Sequence, residues 1–542
     1  MANALRKVSV HKTDQKVKSD KREVRNDAGG FTFKVSNADM FDRFLILGVC
    51  SGTYQAGSTK MLDNDVNFIK KFIKENPAEA IRRTVDVSAN GRAKSNSAAL
   101  FVLAQAMNTD GVNKSDVSDA VKEVARTSTH LFEYAQYLKN LGGWGRAKRA
   151  SITGWYESKS NDALAMQAVK YRQRDGWTHR DLFRLSHPKG IDTSVGDFIL
   201  GKDHASIDDL RTIHGFKLMQ QAKNIDEVVE LIKEYRLPWE TVPTQFHKEV
   251  KLWRTLFEAD ALGQTALLRN TVRLAKLGAF KDLRFAADYA DRLADSNRIQ
   301  KGLVHPINYL NAAVVYSEGQ VNRKGHYAHR ESRTWDTSSS ITDALNEGFH
   351  SAFKFVEPSN ERYLVGVDVS GSMASMAMGL DLSCAQVSGA VAMQIARTAK
   401  YSEIRGFTTG SSGWGSWRER AKLTDLGITA KSDLADAMKK VSGHNFGGTD
   451  CAQPMLWALD NSVEIDTFVI ITDNETWAGN IKPHQALNQY RKETGINAKL
   501  AVLGVEGRPF TIADPSDRGM MDFVGFDSNA PKALADFSAG RI

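Results

Sequence analysis

Near Val356-Glu357-Pro358 the hydrophobic pattern changes period, and that change restricts the chain to two differently built parts. From about residue 35 to 355, apolar residues recur at helical spacing between short Gly, Pro or Asn breaks. Leu268, Val272 and Ala275, spaced i, i+4, i+7 and followed by Gly278, are one sample. Short amphipathic helices in series bury their stripes by stacking pair on pair, which gives a curved array. No strict sequence period is present, so the expected repeats are irregular. Beyond the change, 363–367, 467–471 and 498–503 are short apolar runs, with helical stretches at 384–399 and 431–441 between them. Such alternation indicates a parallel sheet covered on both faces, where ligands bind beyond the C-terminal ends of the strands. The expected fold class is therefore α plus α/β, a helical-repeat array followed by a Rossmann-like parallel-sheet domain.

The expected boundaries are a basic flexible arm over 1–30, a helical module over 31–358 and the sheet domain over 359–542. The arm carries Arg6, Lys7, Lys12, Lys16, Lys18, Lys21, Arg22 and Arg25 and ends in Asp27-Ala28-Gly29-Gly30. It reads either as a solvated tail or as a nonspecific contact to RNA. No apolar stretch follows to make a signal-peptide core, and no window approaches ~18 uninterrupted apolar residues, so no membrane span is expected. From Glu361 onward 18 Lys and Arg stand against 21 Asp and Glu, which leaves +11 on the rest of a chain of net charge +8. That excess suits a polyanionic partner, or simply keeps the protein soluble. Cys50, Cys384 and Cys451 form neither a disulfide framework nor a zinc pattern, so a reducing, cytoplasmic setting is expected.

Directly after the first apolar run, Asp368-Val369-Ser370-Gly371-Ser372 puts one carboxylate and two hydroxyls on a tight loop. Thr449, in Gly447-Gly448-Thr449-Asp450, and Asp473, in Ile471-Thr472-Asp473-Asn474, add two more oxygens. Two charged ligands and three hydroxyls favour Mg²⁺ or Mn²⁺ over softer metals and leave positions open to water or a partner's carboxylate. Together the three segments resemble the metal-ion-dependent adhesion site of von Willebrand factor A (vWA) domains at every position. Catalysis is not expected. Asp368 and Ser372 occupy the glycine positions of a G-x-S-x-G elbow around Ser370, and no His is placed as its base. His326 and His329 lack the glutamate of HExxH and a third ligand, so they read as loop histidines.

The densest basic and aromatic mixture runs from Gly142 to Lys189 and holds Arg146, Lys148, Arg149, Lys170, Arg172, Arg174, His179, Arg180, Arg184 and His187. On a helix, Arg180, Arg184 and His187 fall within about 60° of one another, with Leu182 and Leu185 opposite. One face then docks inward while the other offers donors. Arg and Lys meet phosphates, and Tyr, His and Arg planes stack on unpaired bases, so these residues are candidate RNA contacts; a merely solvated face is the plain alternative. Trp144 and Trp177, next to glycines, read as core anchors.

Several of these segments resemble the Ro (TROVE-module) family. Arg43-Phe44-Leu45-Ile46-Leu47-Gly48 with Ser51-Gly52-Thr53-Tyr54 is similar to its opening motif, although Gln55 stands where the family often has a second Tyr. Thr129-His130-Leu131-Phe132-Glu133, the Gly-Trp-Gly-Arg-Ala run at 143–147, and Lys170 through His187 are similar to its most recognisable block. Thr265 to Asn270, His305-Pro306 and the vWA opening at Asp368 follow in family order, so the likeness spans roughly residues 35 to 540. It implies a ring of HEAT-like repeats closed by the vWA domain. It also implies Y-type RNA on the outer surface, with single-stranded 3′ ends of misfolded noncoding RNA in the central hole. Lys170 and His187 match the family's outer-surface contacts. A monomeric RNA-binding scaffold or chaperone in noncoding-RNA stability and quality control is thus expected. Its candidate partners are an exoribonuclease tethered through RNA and an acidic protein ligand at the metal. The competing expectation is a metal-dependent protein-binding adaptor in which the helical array is a spacer.

Overall fold

The computed structural model describes residues 11–48, 67–202, 210–320, 334–357, 359–377, 382–408, 423–443, 447–525 and 527–542. Cys50, the segment Ser51 to Tyr54, Gln55, the Gly/Ser-rich stretch from 409 to 416, His326 and His329 lie outside these residues. The described residues form two compact units. One joins the chain up to residue 48 with 353–542, and the other holds the chain between them.

That division corrects the expected arm. Strand β1 (Glu23–Arg25) pairs antiparallel with β2 (Phe31–Lys34), and Gln15, Glu23, Asn26, Phe33 and Val35 are buried. Phe31, Phe33 and Val35 alternate with polar residues, the period of a half-buried strand, and this outweighs the basic character of the segment. The helix Asn37–Leu47 follows, capped by the Ser36 hydroxyl, which accepts the Asp39 N–H. Its Arg43 is buried and pairs with Asp522.

The second unit is helical, as expected. Its helices stack two along: Ser97–Asn108 packs on Ser128–Asn140, and Lys114–Val124 on Arg146–Glu157. Neighbours on several sides explain why Ser97–Asn108 is buried from Ser97 to Met107, where a surface helix shows one stripe. In the helix Gln264–Lys276 the buried stripe is Leu267, Leu268, Thr271, Leu274 and Ala275, while Val272 stays half-buried. A short hairpin interrupts the helices: β3 (Gln173–Arg174) pairs with β4 (Trp177–Thr178).

In the first unit β5 (Ser359–Asp368), β6 (Ala399–Phe407), β7 (Thr424–Asp425), β8 (Thr467–Thr472), β9 (Lys499–Gly504) and β11 (Met520–Val524) form one sheet of order β11-β9-β8-β5-β6-β7. Every pair is parallel except β6 with β7. The helices Gln453–Asp460 and Pro483–Thr494 cover one face, closing Met455, Leu487 and Tyr490 over Leu364, Phe468 and Leu500. The short β10 (Phe510–Thr511) pairs with β2, joining the N-terminal segment to this unit. From central β5 the chain goes to β6 on one side and later to β8 on the other. The ends of β5 and β8 therefore flank a topological switch point, where such sheets bind ligands.

Candidate functional site

The register sets Val367 beside Ile471, which brings the end of β5 next to the end of β8. Asp368 is fully buried there. One of its oxygens accepts the Ser370 N–H at 2.9 Å and the other accepts the Thr472 hydroxyl at 2.8 Å. The Ser370 and Ser372 hydroxyls lie 3.2 Å apart. Ser370, Thr449 and Asp473 are buried, whereas Ser372 and the neighbouring Met376 are exposed and mark the side open to solvent. Burial first, and then the Asp473 carboxylate, push the Asp368 carboxyl up to about 7. A carboxyl held dry beside a second buried carboxylate is in surroundings that a cation relieves. The Thr449 hydroxyl makes no hydrogen bond to another described residue. Among the described residues no three His, Cys, Asp or Glu side chains gather as a metal cluster, so no softer donor set competes. The all-oxygen set of Asp368, Ser370, Ser372, Thr449 and Asp473 fits Mg²⁺ or Mn²⁺.

The basic residues are sorted by burial. Thr178 and Asp181 form a capping box that starts the helix His179–Ser186. Its Leu182 and Phe183 are buried, and Arg180 and Arg184 are exposed, with His187 at the left-handed position just past its end. Arg180 donates from Nε to the Leu200 carbonyl at 3.0 Å. Arg184, Arg146 and Arg149 have no ion-pair partner among the described residues. Lys170 lies 3.7 Å from the Glu240 carboxylate, Arg172 covers the Phe216 ring, and Arg174 stands 3.6 Å from Asp175.

Two of the sequence-predicted contacts face the interior instead. Lys148 is buried, and its ammonium donates to Asn108 Oδ1 at 2.9 Å and to the Gly142 and Gly143 carbonyls at 3.1 Å, so it fastens a loop. His179 is buried with Nδ1 2.9 Å from the Tyr156 hydroxyl, and burial lowers its pKa to about 4. Neither reaches a ligand at the surface. Trp144 and Trp177 are not core anchors either. Both are half-buried and meet edge to face at 5.6 Å, with the Trp177 indole N–H donating to Gln136. Sequence reasoning missed the hairpin that carries Arg174 and Trp177. Its signal was Asp175-Gly176, a dipeptide favoured in two-residue turns; both residues have positive φ, 52° and 78°.

The sequence matches the TROVE domain over residues 24–223 and 233–335 and the Ro60 vWA domain over 362–538. It is 37% identical over 554 aligned residues to the RNA-binding protein RO60 of Deinococcus radiodurans, covering all of both chains. To the RNA-binding protein RO60 of Caenorhabditis elegans it is 31% identical over 603 aligned residues, covering 96% of this chain and 90% of that one. The crystal structure of the Deinococcus radiodurans Ro (Rsr) protein matches with a TM-score of 0.68 at 36% identity, covering 94% of this chain and all of the other.

Proposed function

Since the chain belongs to the Ro60 family, we propose that it is a non-catalytic RNA-binding protein whose helical unit holds structured noncoding RNA of the Y type. The same reading extends to single-stranded 3′ ends of misfolded RNA, to RNA stability and quality control in the cytosol, and to an exoribonuclease brought near through shared RNA. It is supported by curated relatives named as RNA-binding proteins. The observation that carries it is the exposed set of Arg180 and Arg184 on one short helix and His187 just past its end, with the unpaired Arg146 and Arg149 in the same basic segment. Guanidinium groups without carboxylate partners keep their donors for phosphate oxygens. Asp368, Ser370, Ser372, Thr449 and Asp473 would hold Mg²⁺ or Mn²⁺. When bound, the ion supplies a Lewis-acidic position for a partner's carboxylate. Thr472 and the Ser370 N–H orient Asp368 for that task, and exposed Met376 offers an apolar surface beside it. This supports an acidic protein ligand as a second partner.

The test is RNA affinity against salt for the full chain. Replacing Arg180, Arg184 and His187 by alanine is expected to weaken binding of structured RNA. It should also flatten the log–log salt dependence by roughly 0.7–0.9 for each phosphate that is no longer neutralised. Affinity and slope equal to those of the unaltered protein would remove this face from the RNA site.

A further inference from the structure

The loops that present Thr449 and Asp473 are tied together by a side chain from far away in sequence. Gln15 is fully buried. Its amide nitrogen donates to Asp450 Oδ1 at 2.6 Å and to the Ile481 carbonyl at 2.9 Å, and its amide oxygen accepts the Thr476 hydroxyl. One carboxamide therefore grips the residue after Thr449 and the loop that follows Asp473. The same two loops also meet directly: the Thr449 carbonyl accepts the Trp477 and Ala478 N–H groups, each at 3.0 Å, and the Thr476 hydroxyl accepts the Cys451 N–H at 3.1 Å. The rest of the strap repeats the pattern. Asn26 donates to the Thr476 carbonyl at 2.9 Å, and at Gly30 a Cβ would stand 2.0 Å from that carbonyl, so only glycine lets the strap lie this close. Asp27 of the strap joins Glu475 and Glu506 around Arg508, and Glu475 is two residues from Asp473 along the loop. The far end is anchored on Lys482, whose buried ammonium donates to the Gln15 and Phe31 carbonyls and pairs with Glu23.

We propose that Gln15 is a positioning residue of the cation centre, and that the strap of residues 13–30 and that centre are energetically linked, each holding the other in place. The inference rests on the reading of Asp368, Ser370, Ser372, Thr449 and Asp473 as cation ligands. Thr449 and Asp473 come from separate loops whose mutual spacing sets whether both oxygens meet one ion. Gln15 fixes that spacing, because its hydrogen bonds to Asp450 and Thr476 are made together only in one arrangement of the loops. Linkage is reciprocal for binding free energies: what the strap contributes to cation affinity, the bound cation returns to the seating of the strap.

The probe is Mn²⁺ alone, with free ion counted by electron paramagnetic resonance on the full-length protein. Gln15→Leu keeps the volume and removes the hydrogen bonds; it is expected to weaken Mn²⁺ binding about tenfold, within the usual range of such couplings. Gln485→Ala releases only Thr13 at the outer end of the strap and leaves the Gln15 and Asn26 contacts to the ligand loops in place; it is expected to leave Mn²⁺ affinity within about twofold, a change too small to register as coupling. The reciprocal measurement needs no variant: saturating Mn²⁺ is expected to slow hydrogen exchange at the Gln15 and Phe31 amides, which donate to Gly479 and Gln15. Equal Mn²⁺ affinity in folded Gln15→Leu overturns the inference. So does strap exchange indifferent to Mn²⁺, a result that decides the matter even if Gln15→Leu does not fold. Unaltered protein that takes up no more Mn²⁺ than Asp368→Ala overturns the cation reading itself, a distinguishable failure that takes the inference with it.

Discussion

His179 is a donor in the sequence and a buried group in the fold, and the difference has a measurable consequence. Burial holds its pKa near 4 in the folded chain, while an unfolded histidine titrates near about 6.5. Between those values the unfolded state binds more protons, so stability falls as the pH drops from about 6.5 to about 4 and levels off below. One histidine shifted this far accounts for about 3 kcal/mol over that window, and His130, likewise lowered to about 4 by burial, acts in the same direction. Thermal melts between pH 4 and 7 should show this acid limb, and His179→Phe should make it shallower. An unchanged slope in the variant would mean that His179 does not carry it. The sequence did not expose the burial, because His179 sits at the first helical position after Thr178, where wheel geometry says little about which side is covered. Arg180 and Arg184, one and five residues on, obey the wheel because Leu182 anchors the opposite side, while Leu185, expected beside it, is only half-buried and Phe183 is buried on the flank.

Legibility follows length and periodicity at the level of elements. Strands β5, β8 and β9 are legible as apolar runs because both faces are covered, and the candidate ligands Asp368 and Asp473 because they stand at the ends of β5 and β8. β6 is hidden: the two-residue β7 covers only Arg405 and Gly406, so Lys400, Tyr401, Ser402 and Glu403 lie exposed or partly exposed on the open edge and no apolar run forms. β3 and β4 have two residues each and no period at all, only the Asp175-Gly176 turn. That turn yields its own prediction. A Cβ at Gly176 meets nothing within 4 Å, so Gly176→Ala tests the left-handed backbone by itself. It is expected to lower stability by about 1 kcal/mol in urea unfolding, the usual cost of that conformation for a side chain. No loss would mean that the hairpin relaxes freely.

For the molecule as a whole, the helical unit ends at Ala352, a few residues before the change of period near residue 358, whereas the partnership of residues 11–48 with the C-terminal unit leaves no such mark in the sequence. β1 and β2 are only three and four residues long, and their partner β10 comes late in the chain, so no local pattern names the pairing. It follows that residues 359–542 are not a self-sufficient domain. Without the N-terminal segment, Lys482 loses Glu23, Asp522 loses Arg43 and β10 loses its strand partner β2, and the side chains that the segment covers are opened to water. Expressed by itself, that fragment is expected to lack a cooperative melt by circular dichroism. Fusing residues 11–48 to it through a flexible linker is expected to restore one. A sharp transition in the bare fragment would refute this.

Lys34 is made about 480 residues before its cross-strand neighbour Phe510, roughly 25 to 95 seconds at the usual pace of synthesis. For that interval Phe33 has β1 beside it but neither β10 nor His484 to pack against, while the helices encoded in between already have their neighbours. β2 is thus made well before β10 and is among the last strands to find its place, so a nascent chain of this kind needs that segment shielded until the later strands emerge.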